Sequence, residues 1–571
     1  MRFLAFLSFL KRTLGRHNLS GLSKIALLTV IFLIPFAWLA LLTQGLPFEN
    51  DDLDHILTCD RTPWKQMISN LIVPWSTSEH WVSLSRLLNQ TVGSRLVHGL
   101  ALKFIFDFIG DAPFAFYLVT KAFFFSGTVF FLFVLLKELT KSWRFAFVGI
   151  AVYMFIPSHY AHLLWISATE SMANFFVVAC VWIFLRMIGY LHRNGPSGYF
   201  WKYLLLFTLV GWFAMKTKET AVILPLSLGM YSLLRLPSWK GYGSHTKLVF
   251  IFLSIVFLAF LGVPILNLGN EWMPKHRFNL ETLLRLVFRN YDCGYEDEPV
   301  SAFFSWDALW PVSIARTIGF YLLWSLVALV IGYWILKISR GRHKSSETVF
   351  FLQHPLVGIS ICWIVLELFL MGYFLPDPRY FSGTMFPIVC SISALIHSVG
   401  RFLRPFAGKI LNYLILVPIS LNIYNNIQHT VWLRQQIGQR NHRFYYMAKT
   451  IYKDYFPNRV PTFRNLAQYY CPTFVSDRTH PRLKDVTYFV ALGWAGLNKT
   501  ESDSIEDFER FGDHGTFYYV TDKSFSVEGH PRVKRFAVLS GINEDSLFEK
   551  INYHVKRKKP RPFYIYKTTH P

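Results

Sequence analysis

The sequence predicts an all-α polytopic membrane protein of about eleven transmembrane helices, followed by a small C-terminal soluble domain of α/β or α+β type. Three observations lead there. Of the 571 residues, 53% are hydrophobic and 18% aromatic but only 16% charged, and the mean hydropathy is +0.31. That is too apolar for a soluble chain of this length. The apolar residues also fall in blocks long enough to cross a ~30 Å hydrocarbon core, for which about 20 helical residues suffice. Finally, the basic excess, a formal charge of +23, collects between alternate blocks, as on the cytoplasmic side of a membrane. It is paired with no recognition motif, which argues against nucleic acid as a partner.

The elements follow in order. Arg2, Lys11, Arg12, Arg16 and Lys24 precede a first span near 25–44, so the N-terminus is expected in the cytoplasm. That span is too long for a cleaved signal peptide and reads as retained. A polar, aromatic first outer loop runs from about 45 to 112. The next span, near 113–136, returns to Lys137, Lys141 and Arg144. Pairs near 145–157 and 171–189, then 203–217 and 220–234, each end at basic residues, Arg186 and Arg193 in one case, Arg235 and Lys240 in the other. A span near 248–266 leads to a second large outer loop, about 267–312, and a return span ends at Lys337 and Arg340. Spans near 349–375, 384–399 and 408–424 complete the membrane domain, residues 1–424. Odd parity then places residues 425–571 outside.

That last segment differs in kind. Its apolar runs are short and rich in strand-forming residues, at 486–491, 516–520, 536–539 and 562–566, with a helix expected near 546–554. It contains no metal-ligand spacing and no nucleotide loop. Cys180, Cys362 and Cys390 fall within spans and read as small apolar residues. Cys59, Cys293 and Cys471 fall outside, where a Cys59–Cys293 bridge between the two large loops is one arrangement. Sequons at Asn89 and Asn498 share that face.

Ionisable residues gather at the expected outer ends of the spans: Asp51, Asp52 and Asp54; His159, His162 and Glu170; Lys216, Lys218 and Glu219; Asp377, Arg379 and Tyr380. Any one of these could be an interfacial anchor, with lysine and arginine snorkelling to the headgroups. Carboxylates and cations recurring at one depth instead suit a reaction that needs an acid/base group and an anionic leaving group. In the first loop, residues 96–109 form an amphipathic stretch carrying Lys103 and Asp107, suited to lying in the interface or to packing on the bundle.

The same residues resemble a known family. Pro157-Ser158-His159, followed by Trp165-Ile166-Ser167, resembles the P-x-H…W-I-S segment of the polytopic GT-C glycosyltransferases. The similarity is to the protein O-mannosyltransferase-like branch that includes the tetratricopeptide-bearing transmembrane mannosyltransferases. Ala214-Met215-Lys216-Thr217-Lys218-Glu219-Thr220-Ala221, followed by Leu224-Pro225, resembles that branch's A-x-x-x-K-E-T-A…L-P segment. Arg379-Tyr380 resembles its R-Y step, with Pro387 opening the next short span. Asp51-Asp52 stands in the place of its first-loop acidic motif, and Arg95 resembles the arginine of its R-P step, although Leu96 replaces the proline. Ala161, Thr169 and Lys121 depart from the branch's usual Glu, Arg and Asn, and no tetratricopeptide helices follow. These departures bear on the sugar and acceptor more than on the class.

The resemblance implies a GT-C-like fold and the transfer of a sugar, mannose among the candidates, from a polyprenyl-phosphate carrier to a protein, lipid or glycan acceptor on the far side of the membrane. Asp52 is the first candidate for the base that takes the acceptor proton, then Asp51 and Asp54. Lys218 and Arg379 lead the cations expected to receive the lipid phosphate, with Arg95, Lys216 and Tyr380 beside them. His159, Glu170 and Glu219 are candidates to orient substrate hydroxyls. No cofactor is required; a Mg²⁺ or Mn²⁺ ion on Asp51 and Asp52, with Glu49, is the lesser alternative. The expected membrane is a bacterial inner membrane, or the endoplasmic reticulum of a eukaryote. A lipid-linked glycan polymerase or ligase would use the same outer site, whereas a flippase or transporter would place its charges at the midplane of repeated halves.

Overall fold

A computed structural model describes residues 21–46, 62–72, 96–110, 112–196, 198–218, 223–234, 244–267, 354–371, 385–394, 450–454, 456–458, 474–477, 501–502, 504–510, 516–521, 523–539 and 563–568, with single positions between them. The helices are α1 (Gly21–Thr43), α2 (Trp64–Ile72), α3 (Leu96–Phe104), α4 (Pro113–Tyr117), α5 (Phe124–Thr140), α6 (Trp143–Met154), α7 (Pro157–Leu163), α8 (Glu170–Asn194), α9 (Gly198–Thr217), α10 (Ile223–Leu234), α11 (Ser244–Asn267) and α12 (Pro355–Met371). A short helix, α13 (Ile505–Arg510), belongs to a C-terminal sheet of β1 (Phe474–Asp477), β2 (Glu501–Ser502), β3 (Tyr518–Thr521), β4 (Val533–Leu539) and β5 (Phe563–Thr568).

Among the described residues four stretches are long and apolar enough to cross a membrane: Ile25–Thr43, Pro113–Thr140, Glu170–Arg193 and Gly198–Thr217. Shorter apolar helices occupy Trp143–Met154, Ile223–Leu234, Ser244–Ile255, Pro355–Leu366 and Met385–Ala394. The chain is therefore a multi-pass helical membrane protein. In lipid every backbone polar group must be bonded internally, so hydrophobic blocks of this length become helices and pack on one another. The return span after residue 312 and most of the span near 408–424 lie outside the described residues.

Helix α8 runs down one side of the bundle, and α9 comes back beside it after a connection of three residues. Gly195 makes that reversal possible by adopting φ +67°, a left-handed conformation costly for any residue with a Cβ. Helix α5 packs on the other flank of α8, α1 and α6 pack on α5, and α10 is sandwiched by α11 and α12. The start of α8 and the end of α9 consequently meet at one end of the bundle. At the opposite end Arg186 of α8 pairs with Glu138 of α5, and Lys137 lies 3.6 Å from the ring centre of Trp143.

The stretch 96–109 divides its faces. His98, Gly99, Leu102, Lys103, Ile105 and Phe106 are buried on the bundle, while Phe104, Phe108 and Ile109 are exposed. Asp107 ties it to α2, accepting from the Trp64 indole at 2.9 Å while lying 3.4 Å from Lys103. Cys59 is a buried free thiol beneath α3, and burial pushes its pKa up to about 11 despite the nearby Lys103 cation. Cys293 lies outside the described residues.

The sheet has the order β2-β1-β3-β5-β4. Strands β2 and β3 flank β1 in parallel, whereas β5 runs antiparallel to both β3 and β4. Successive side chains of β3 point to opposite faces, and all four are buried. Tyr518 and Val520 join the main apolar cluster with Ile565, while Tyr519 packs on Phe508 of α13. Asp454 fastens this sheet to the preceding segment, accepting from both the Tyr518 hydroxyl and the Lys567 ammonium. On the other side His530 donates to Glu509 at 2.8 Å and, with the Arg532 backbone N–H, holds that carboxyl below its ordinary pKa. The runs 486–491 and 546–554 lie outside the described residues.

Close helix approach gives a direct test. A Cβ added at Gly358 of α12 would sit 2.5 Å from the Tyr231 ring of α10, and Tyr231 is itself backed by Phe250 at 6.3 Å. Gly358→Val is expected to cost about 1–3 kcal/mol of overpacking. Thermal unfolding in detergent should register it as a lowered midpoint, and an unchanged midpoint would refute the close packing of α10 on α12.

Candidate active site

Between α6 and α8 the chain does not run as a continuous helix. Ile156 is extended, Pro157 opens α7 in a position where its missing N–H costs nothing, and after Leu163 residues 164–169 are irregular. Backbone carbonyls freed inside an apolar bundle need partners. Each comes from a different element. The Tyr160 hydroxyl donates to Met154 O at 2.6 Å, the Tyr117 hydroxyl to Leu164 O at 2.9 Å, and the Lys121 ammonium to Ala168 O. His98 Nε2 lies 2.9 Å from Ile166 O. Trp38 of α1 completes the bracing by donating to the Tyr160 hydroxyl at 2.8 Å.

A second irregularity faces this one. Between α4 and α5, residues Leu118–Phe123 form a wider π-helical turn, a form often found at functional sites. It presents Lys121, whose side chain is wholly buried, and Ser171 of α8 donates to Thr120 O in the same turn at 3.0 Å. The π turn thus supplies both a cation to the irregular segment and a carbonyl to the first turn of α8.

The ionisable core of the site sits where these pieces meet. Glu170 is the first residue of α8, where the helix dipole favours a carboxylate. Its Oε1 takes the ammonium of Lys218, the residue following α9, and both side chains are at most 7% exposed. Lys121 and His162 add their fields to the same carboxylate. Its Oε2 is buried and accepts no hydrogen bond among the described residues. His159 packs 4.4 Å from the Tyr153 ring centre and 5.8 Å from those of Phe125 and His162. Both His159 ring nitrogens are buried without a hydrogen-bond partner among the described residues, and burial followed by the His162 charge lowers its pKa, so it is neutral at pH 7.

Lys216 is different from the other two lysines. It lies in the last turn of α9, is 1% exposed, and its Nζ has no hydrogen-bond partner among the described residues. Two residues from Lys218 on a helix, it projects to a different side. Around Glu170 the buried ammonium groups of Lys121 and Lys218 therefore share this end with that of Lys216.

Of the residues singled out in the sequence, Glu170 and Lys218 come together, His159 packs on His162, which lies within reach of the Glu170 charge, and Lys216 is buried at the same end of α9. Asp51, Asp52, Asp54, Arg95, Glu219, Arg379 and Tyr380 lie outside the described residues. Lys121 enters the site although the sequence marked it only as a departure from a family pattern. A lysine in the middle of an apolar span was the available signal, since charge there is kept for a partner or a function. Among the described residues no group of three or more His, Cys, Asp or Glu could hold a metal ion.

No protein-family model matches the sequence, and no curated protein matches it. Among solved structures, the chain matches the crystal structure of ArnT from Cupriavidus metallidurans bound to undecaprenyl phosphate. The match covers 96% of this chain and 98% of that one, at 9% sequence identity and a TM-score of 0.45.

The Glu170–Lys218 pair should reveal itself in a double-mutant cycle. Removing one partner leaves an uncompensated buried charge, so Lys218→Met is expected to cost about 3–5 kcal/mol, and Glu170→Gln a comparable amount. The double variant should recover most of that loss in thermal unfolding measured in detergent. Strictly additive losses would mean that the two groups are not coupled.

Proposed function

We propose that this chain is a GT-C-type membrane glycosyltransferase. It takes a sugar, mannose among the candidates, from a polyprenyl-phosphate carrier and passes it to a protein, lipid or glycan acceptor on the extracytoplasmic face. The observation that carries the reading is the buried ammonium of Lys216, without a hydrogen-bond partner among the described residues, in the segment that resembles the K-E-T-A motif of these enzymes. A dry ammonium without a carboxylate is stable only if an anion or a solvent path serves it. A lipid phosphate delivered from the bilayer is an anion of suitable kind.

The chemistry assigns roles. The acceptor hydroxyl gives its proton to a carboxylate, Asp52 first and Asp51 or Asp54 next, as its oxygen bonds to the anomeric carbon. The bond from that carbon to the phosphate oxygen breaks, and the carrier leaves as a phosphate monoester carrying one more negative charge. Cations fixed before the reaction stabilise that charge most where water is excluded. Lys216 is the preferred cation here, with Arg379 and Arg95 offering guanidinium forks and Tyr380 a hydroxyl. Lys218 is engaged by Glu170, which favours a supporting role for that pair.

Purified enzyme in proteoliposomes, supplied with a panel of polyprenyl-phosphate sugars, tests this by release of the carrier phosphate. Lys216→Met is expected to lower kcat by about 100-fold, the scale for losing one preorganised charge donor. Asp52→Asn should lower it by about 100-fold or more. Flipping of a labelled lipid without any sugar transfer would replace the glycosyltransferase with a transporter.

A further inference from the structure

Helix α1 ends in a turn at Gln44 and Gly45, and its last carbonyls have no partner within the helix. Thr43 O accepts from the Leu46 N–H at 3.1 Å, and two others are taken by a residue far along the chain. Arg434 Nε donates to Leu42 O at 2.8 Å, and Arg434 Nη2 donates to Gln44 O at 2.9 Å. A guanidinium at a helix C-terminus satisfies orphan carbonyls and opposes the negative end of the dipole at once. Arg434 is itself fixed in place, because Thr430 and Val431 beside it are fully buried and Val431 belongs to the main apolar cluster.

One turn before Leu42 on the same helix stands Trp38, and it too reaches across the bundle. Its indole donates to Tyr160, and the Tyr160 hydroxyl donates to Met154 O. Those two bonds set the start of the irregular segment that carries His159 and His162. α1 therefore works as a lever with two fixed points, one on the segment after the last spans and one on the candidate active site.

We propose that Arg434 is a positioning residue for the active site: by clamping the end of α1 it holds Trp38 against Tyr160, and so holds the 155–169 segment in place. The link makes one residue C-terminal to the spans a support for the candidate active site. The kinetic part rests on the glycosyltransferase reading; the structural part does not.

The test uses full-length protein in lipid nanodiscs and three variants, Arg434→Gln, Trp38→Phe and the pair combined, with Arg434→Lys as the conservative control. Amide exchange is read by mass spectrometry over peptides covering 36–46 and 154–166. Arg434→Gln should speed exchange in both peptides by about tenfold, the scale of one charge-assisted hydrogen bond, while peptides from α10 and α11 stay unchanged. Arg434→Lys should restore part of the protection. In the double variant the 154–166 peptide should exchange no faster than in Trp38→Phe alone, since both act through one contact. Transfer assays should show kcat falling with the KM for donor unchanged. Faster exchange at 36–46 alone, additive effects, or a uniform loosening of the whole bundle would each overturn the proposal. Absence of sugar transfer by the unmodified enzyme would instead defeat the functional reading and leave the exchange result to decide the mechanical one.

Discussion

The buried contact between Glu170 and Lys218 is the constraint around which this end of the molecule is organised. It joins the first residue of one long helix to the residue that follows its antiparallel neighbour, so the two helix ends are held in register. Removing either partner would leave the other charge buried without its counter-ion. Hydrophobic packing brings α8 and α9 together along their length, but it is indifferent to a small slide of one helix past the other. An ion pair at the tip is not indifferent, because a displacement of one turn would strand both groups in an apolar environment.

That fixed tip explains why irregular backbone can exist beside it. Residues 155–169 and the π turn at 118–123 both release carbonyls inside a bundle where unbonded groups are costly. Side chains from several elements repay the loss in concert: Trp38 and Tyr160, Tyr117, His98, Lys121 and Ser171. Each partner reaches the segment only because the helices are already in register. The polar side chains left facing inward, above all His159, sit on backbone that has been positioned rather than on a wandering loop.

How much of this was legible beforehand follows from the range of each signal. Helical spans are announced locally by runs of apolar residues, and α1, the α4–α5 stretch and α8 begin and end within a few residues of the expected limits. Strands β1 and β2, of four and two residues, carry too few side chains to show alternation, and they passed unnoticed in the sequence. The convergence of Glu170 with Lys218 was half visible. Both residues were marked as ionisable groups at span ends on one face, but nothing in the sequence said that they touch. Lys121 was missed as a participant because its partner, Ala168 O, is a backbone atom 47 residues away. The wide turn that presents it has no sequence signature either. Arg434 was invisible for the same reason, since its partners are also carbonyls.

Within the proposed function, the Glu170–Lys218 contact favours Lys216 over Lys218 as the cation for a lipid phosphate. On sequence grounds Lys218 and Arg379 stood first together, with Arg95 and Lys216 next. Once Lys218 is paired with Glu170, however, its charge is largely spent, and an incoming phosphate would have to compete with a carboxylate already in contact. Such competition would release a buried carboxylate into the space the phosphate must enter, adding repulsion where attraction is needed. Lys216 faces no such conflict. Its side chain is 1% exposed, so an anion reaching it would be attracted more strongly than in bulk water. Under the proposed reading the segment's two lysines differ: Lys218 is held by Glu170, whereas Lys216 Nζ has no hydrogen-bond partner among the described residues.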